Sequence, residues 1–254
     1  MFAMTNLYSE LDSHNKQLPR PDRVLTIGAH PDDAEFGAGG TLAKWASDGT
    51  HVTMLVISDG SKGTWDPSIG HEELVALRAA EQRAAATSLG AEEIVMLEHT
   101  DGELVNSLEL RTELCYWIRS TRPDVIFTHD PWKKYMLHPD HRAAGMAAID
   151  AIVAARDHLF FPEQLTGELE KYRPSAVCLW SADELDHWED ITQSFDTKVE
   201  ALLEHSTQGP TTMGDAQTDG EASAAFVGRL RSRAADMGMT PKFALAEAFK
   251  RITP

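Results

Sequence analysis

The sequence predicts an α/β fold, a doubly wound and mostly parallel sheet with helices on both faces and a site at the carboxyl ends of its strands. Three observations predict it. Short runs rich in Val, Ile, Leu and Met alternate with longer segments of helical period, as in successive βα units. Glycine-containing stops follow two of the helical segments, at Asp48-Gly49 and Leu89-Gly90. Residues able to do chemistry gather directly after the strand-like runs, where open parallel sheets bind ligands.

In chain order the predicted strands are "RVLTIGA" from Arg23, "HVTMLVIS" from His51, "EIVMLE" from Glu93, "DVIFTH" from Asp124 and "SAVCLW" from Ser175. Helices are expected over Gly39–Ser47, His71–Leu89, Leu108–Ser120 and Pro139–Arg156. Beyond Arg156 the pattern loosens. "DHLFFPEQLTGELEKYRP" reads as a surface connection, "ITQSFDTKVEALLEHS" as one more helix, and "TQGPTTMGDAQTDGEAS" as a mobile polar loop. "FALAEAFKR" again has helical spacing. Residues 1–21 read as an N-terminal arm and 22–254 as a single domain, without internal repeats.

Composition narrows the function classes. A chain of 254 residues with 42% apolar and 25% charged residues has the make-up of an ordinary globular protein with a sizeable core. A formal charge of −17 argues against nucleic acid and anionic membranes as partners. No apolar run approaches the ~18 residues of a membrane span, and the N-terminus lacks the basic start and apolar centre of a signal peptide, so a cytoplasmic location is expected. Two cysteines, Cys115 and Cys178, both in apolar contexts, exclude a disulfide framework and disfavour a thiolate metal site.

The first strand leads into His30, Asp32, Asp33 and Glu35, the second into Asp59, Lys62 and Asp66, the third into His99 and Asp101, and the fourth into His129, Asp130, His138, Asp140 and His141. "AHPDDAEFGAGG" raises two readings. Its glycines hint at a phosphate loop, but neither the dinucleotide fingerprint nor the P-loop ending is present, and three carboxylates stand where a pyrophosphate would approach. A cation fits the acidic residues better. His30 and Asp33 are three apart, as are His138 and His141, with Pro139 suited to a helix start between them. Two histidines and a carboxylate with an open fourth position is a recurring catalytic zinc arrangement. Spacing alone leaves a plainer alternative open, in which Asp32 or Asp33 only caps a helix and Asp140 only complements a helix dipole.

"AHPDDAEFGAGGTLA" together with "HPDHR" resembles the paired motifs of the PIG-L/LmbE-like zinc-dependent de-N-acetylases, a Rossmann-like family that includes N-acetylglucosaminyl-phosphatidylinositol, mycothiol, bacillithiol and chitobiose deacetylases. "LRAAEQRAAATSLGAEEIVML", "DGEL", "DITQSFDTKVEALLEHSTQ" and "FALAEAF" extend the likeness over about residues 22 to 250. The resemblance implies one Zn²⁺ per chain, held by His30, Asp33 and His141. It implies that Asp32 is the general base, that His138 stabilises the oxyanion or acts as general acid, and that Asp140 orients His138. Arg78 and Asp101 match positions associated with holding the sugar. Some members carry a tyrosine two residues before the histidine matching His138; here Met136 stands there, with Tyr135 one further back as the candidate substrate contact. Trp65 and Trp132 are candidates for stacking on a sugar. His205 matches a histidine of a later helix and is expected to be structural or intersubunit, while His71 and His99 are expected to be exposed or capping. Several members form trimers or hexamers, so a homo-oligomer is the expectation. The implied activity is removal of an N-acetyl group from an N-acetylglucosamine-type sugar. The rivals are an amidase of the mycothiol S-conjugate type, a metal phosphoesterase, for which the ligands are too few, and a non-catalytic sugar-binding protein that retains the fold.

Overall fold

A computed structural model describes residues 17–167, 169–214 and 220–254. Its sheet has seven strands: β1 (Arg23–Gly28), β2 (His51–Ser58), β3 (Glu93–His99), β4 (Val125–His129), β5 (Ala176–Trp180), β6 (His187–Asp190) and β7 (Ala246–Ile252). They lie in the order β3-β2-β1-β4-β5-β7-β6. β1 pairs in parallel with β2 on one side and β4 on the other, so the winding reverses between β1 and β4. Ligands of open α/β sheets bind in the crevice at such a reversal.

The helices are α1 (Asp33–Ser47), α2 (His71–Leu89), α3 (Leu108–Thr121), α4 (Pro139–Ala155), α5 (Phe195–Leu203) and α6 (Gly220–Gly238). The first two connections place α1 and α2 on one face of the sheet, where Ala38, Leu42, Ala85 and Leu89 pack against Val24, Met54 and Phe127. The next two place α3 and α4 on the other, where Leu114, Ile118, Ala147 and Ala151 pack against Leu25, Ile27 and Ile126. The doubly wound prediction is therefore met, including the stop at Gly90, which caps α2 at φ 78°. Pro139 opens α4 as expected.

Three expectations need correction. α1 starts at Asp33 rather than Gly39, so the glycines lie inside the helix and do not form its entry turn. They serve close packing: a Cβ on Gly37 would lie 2.5 Å from the Trp180 ring, and one on Gly40 would lie 2.8 Å from Ile191. "FALAEAFKR" is not helical but contains β7, antiparallel to both β5 and β6. Ala, Leu, Glu and Lys favour helices intrinsically, but two unfilled strand edges bind the segment as a strand, with Phe249 fully buried. The expected mobile loop is largely structured among its described residues. A 3₁₀ turn over Ser206–Gln208 and a π turn over Gly209–Met213 bury Gln208 and Met213, and α6 begins at Gly220. Residues 215–219 of that loop, and 1–16 of the arm, lie outside the described residues. Where the arm becomes described, the Leu18 N–H donates to Glu189 at 2.8 Å.

Candidate metal centre and active site

β1 delivers the chain into a tight turn, Ala29 to Asp33, at the sheet's reversal point. The Asp33 N–H returns to the His30 carbonyl at 3.3 Å, and the Asp33 carboxylate accepts from the His30 N–H at 2.7 Å. Asp32 at the centre takes φ 98°, a left-handed conformation that a side chain adopts only at a cost of order 1–3 kcal/mol. Two side chains from α2 hold it there. Gln82 Oε1 accepts from the Asp32 N–H at 3.0 Å, and Arg78 donates to the Pro31 carbonyl at 2.7 Å.

The second cluster comes from the end of β4 and the start of α4. The rings of His129 and His141 stack at 4.2 Å between centroids, and those of His141 and His138 at 4.5 Å. His141 Nε2 lies 3.3 Å from Asp33 Oδ1, while His30 Nδ1 lies 3.5 Å from Asp33 Oδ2. His30, His138 and His141 each offer a ligand atom within 4.8 Å of the others, and so do Asp33, His129 and His141. The two motifs that are separate in sequence thus come together through His141, which both groups share.

Hydrogen bonds select which atoms face that point. His30 Nε2 is shared by Asp101 Oδ1 and Asp140 Oδ2, both at 3.1 Å, so its proton is engaged there and Nδ1 is the nitrogen left for a cation. Asp33 Oδ2 accepts from the His30 N–H and contacts His129 Nε2 at 3.0 Å, which leaves Oδ1 beside His141. Nδ1 of His30 and Oδ1 of Asp33 are thus the atoms left towards His141, but the groups that converge among the described residues are His30/His138/His141, Asp33/His129/His141 and His30/Asp101/Asp140, so the expected trio of His30, Asp33 and His141 is split over the first two and joined by His141.

A sequence profile of the family described as PIG-L, GlcNAc-PI de-N-acetylase, matches residues 25–152. The chain is also 34% identical over 209 residues to the diacetylchitobiose deacetylase of Thermococcus kodakarensis, covering 82% of this chain and 78% of that protein. It belongs to the PIG-L family. The structure of the N,N'-diacetylchitobiose deacetylase from Pyrococcus horikoshii superposes with a TM-score of 0.84 at 28% identity, over 100% of this chain and 94% of that one. The fold is wider than one reaction: the 4-carboxy-2-hydroxymuconate hydratase GalB of a Pseudomonas shares it at a TM-score of 0.74 and 18% identity, over 92% of this chain and 97% of that one.

In this PIG-L chain the adjacent aspartates are driven apart electrostatically. Burial raises Asp32 to about 6, against the opposing pull of Arg78, whose guanidinium lies 3.9 Å away. Burial acts on Asp33 too, but His129 and His141 outweigh it and hold Asp33 well below the usual carboxylate range. One is suited to remain anionic beside a cation, the other to exchange a proton near neutrality. For His30, burial is overcome by Asp101, Asp140 and Asp33, which push it up to about 12. Three carboxylates around one imidazole demand positive charge at this point, which an imidazolium or a bound cation can supply.

Arg78 and Asp101 line the site's cavity, and several expected residues make contacts that the motifs alone did not show. Asp140 is fully buried; its carboxylate contacts His30 and accepts from the N–H groups of Gly102 at 2.7 Å and Leu104 at 3.3 Å, and it acts on His138 through its charge. His138 caps α4, and burial together with the charges of His30 and His141 lowers its pKa, favouring the neutral imidazole. Arg78 is 2% exposed and braces Pro31 and Gly60 between Asp32 and Asp101. Tyr135 is 94% exposed and, like Trp65 and Trp132, does not line the site's cavity. That cavity, about 690 Å³, runs from the histidine cluster past Phe36 and Trp180 towards Leu230 and Met237 of α6. Glu35, in the first turn of α1, points inward. Fully buried, it accepts from Gln82 Nε2 at 2.6 Å and lies 3.6 Å from His205, which gives His205 an internal place.

Sequence reasoning missed Gln82 and Trp180, and noted His129 without a role. Gln82 lies one turn beyond Arg78 on α2, so the i, i+4 spacing was the available signal. Trp180 ends β5 as His129 ends β4, and a census of strand ends that included apolar residues would have found it.

Proposed function

We propose that this chain hydrolyses the N-acetyl group of an N-acetylglucosamine-type sugar, using one zinc ion held by His30, Asp33 and His141. The observation that carries the reading is geometric: His141 stands within ligand reach of both His30 and Asp33, with the Asp32 carboxylate buried next in the chain to Asp33. The kinship with diacetylchitobiose deacetylases supports an amino-sugar amide as the substrate class.

An amide resists hydrolysis because water is a weak nucleophile and an amine a poor leaving group. Zinc, when bound, lowers the pKa of its water to about 7 and polarises the acyl oxygen. Asp32 accepts the proton of the attacking water. The same carboxyl then returns that proton to the amine nitrogen as the C–N bond breaks, and acetate leaves with the water oxygen. Neutral His138 donates a hydrogen bond to the developing oxyanion from the open side of the cluster. Gln82 and Arg78 keep the base in place by gripping the single peptide group that joins Pro31 to Asp32, Gln82 at its N–H and Arg78 at its carbonyl.

The reading takes 22–254 as the catalytic unit, with 1–21 as its arm, acting in the cytoplasm as a homo-oligomer. No helix among the described residues is long and apolar enough to cross a membrane. The test is amine release from N,N'-diacetylchitobiose by purified protein. Activity lost to a chelator, restored by zinc and abolished in Asp32→Ala with metal content unchanged is the expected result. Metal-independent turnover, or a fully active Asp32→Ala, overturns the mechanism. Binding of the sugar without acetate release favours the sugar-binding alternative, and turnover confined to thiol conjugates favours the amidase.

A further inference from the structure

We propose that Trp180 and His129 form a relay that sets the orientation of Asp33 for metal binding, with His129 acting as a positioning residue. The proposal rests on the metal reading above, because Asp33 matters here as a ligand.

The Trp180 Nε1–H donates to His129 Nδ1 at 3.0 Å. An indole nitrogen can only donate, so Nδ1 of His129 must be unprotonated, and a neutral imidazole then carries its proton on Nε2. That nitrogen lies 3.0 Å from Asp33 Oδ2. The Ala29 N–H also approaches Nε2, at 3.4 Å, but a nitrogen bearing a proton cannot accept from it, so the carboxylate is the partner. The proton of His129 therefore points at Asp33 because Trp180 excludes the other tautomer. With Oδ2 engaged by this bond and by the His30 N–H, Asp33 can turn only Oδ1 towards His141.

The packing around the relay is built for close approach. The indole of Trp180 lies against Gly37, where any Cβ would come within 2.5 Å of the ring. On the other side a Cβ on Gly145 of α4 would come within 2.6 Å of the His129 carbonyl oxygen. His129 is 3% exposed and Trp180 2%, so neither can exchange its partner for water. The glycine of "PDDAEFG" has a function in this arrangement: it admits the ring that fixes the tautomer.

Three variants separate a relay from plain packing. Trp180→Phe keeps a ring against Gly37 and removes the N–H. His129→Leu removes the donor to Asp33. His129→Gln restores a donor, since its Nε2 lies at the same distance along the side chain as the imidazole Nε2. Zinc affinity is read by competition with a chromophoric chelator, and the melting temperature of the metal-free protein is read in parallel. Loss of such a supporting contact typically weakens metal binding 10- to 100-fold. We expect a loss of that order for Trp180→Phe and His129→Leu, and recovery to within about threefold of wild type for His129→Gln. Wild-type affinity in folded Trp180→Phe overturns the relay, as does His129→Gln binding no better than His129→Leu. If His129→Leu does not fold, Trp180→Phe and His129→Gln decide. A melting temperature that falls with zinc affinity intact assigns both residues to packing alone. A wild-type protein that takes up no zinc overturns the metal reading itself, and the proposal with it.

Discussion

Replacing Asp32 by asparagine should stabilise the metal-free protein while abolishing turnover. Burial raises Asp32 from its ordinary 3.8 to about 6, and at 1.36 kcal/mol per unit the shift corresponds to ~3 kcal/mol. The folded chain binds this proton more tightly than the unfolded chain. Stability from this group is therefore complete below the unfolded pKa and is lost as pH rises through the folded one. Near pH 4.5 the ionised carboxylate costs about 1 kcal/mol, and near pH 7 about 3 kcal/mol. An asparagine does not titrate, and it tolerates positive φ well. The assay is urea unfolding of both proteins in excess chelator, needed because bound metal would add its own linkage. The stability of Asp32→Asn relative to wild type should grow by about 2 kcal/mol between pH 4.5 and pH 7. Any fixed cost of the amide cancels in that difference. A gap that does not change with pH would refute the claim that the base is held ready at the expense of stability.

With metal bound, the acidic limb of kcat/KM should fall at or below about 6, because a neighbouring cation favours the carboxylate of Asp32; a pH–rate profile with a limb well above that value contradicts Asp32 as the base. Gln82→Leu leaves the buried Asp32 N–H without its acceptor and takes one donor from Glu35 Oε1, so it should cost ~1–3 kcal/mol in denaturant unfolding and lower kcat more than it raises KM. Tyr135→Phe should leave kcat/KM within about twofold of wild type, a change of under ~0.5 kcal/mol as at other exposed positions.

The parallel half of the fold was legible because each βα unit carries its own punctuation. The runs at Arg23, His51, Glu93, Asp124 and Ser175 are strands, and Gly90 and Pro139 stop and start helices where expected. The antiparallel edge was not legible. β7 is written in helix-favouring residues, and "HWED" of β6 is too short to show a period; both become strands only because β5 offers an open edge. The HPDD and HPDH clusters were visible as residue types at metal-like spacing, and the reversal of strand order explains why they converge. Their inner partners were hidden. Nothing local in the sequence tells that Asp140 reaches His30, or that Gln82 and Trp180 arrive from α2 and β5, since those contacts exist only once the sheet has closed.

The bond pattern of Glu247 on β7 ties the site to the order in which the chain is made. Its carboxylate accepts from the N–H groups of Gly40 and Thr41 inside α1, and from Lys198, whose ammonium also donates to the Phe36 carbonyl. The helix that carries Asp33 is therefore stapled at its middle by a strand that follows every proposed ligand and proton-transfer residue in the chain. During synthesis the half that holds the histidine cluster can emerge and collapse, but α1 stays without this staple until β7 has left the ribosome and threaded between β5 and β6. Such long-range closure is slow, which makes maturation of the site a late event and exposes a nascent, half-wound sheet to chaperones and proteases in the interval.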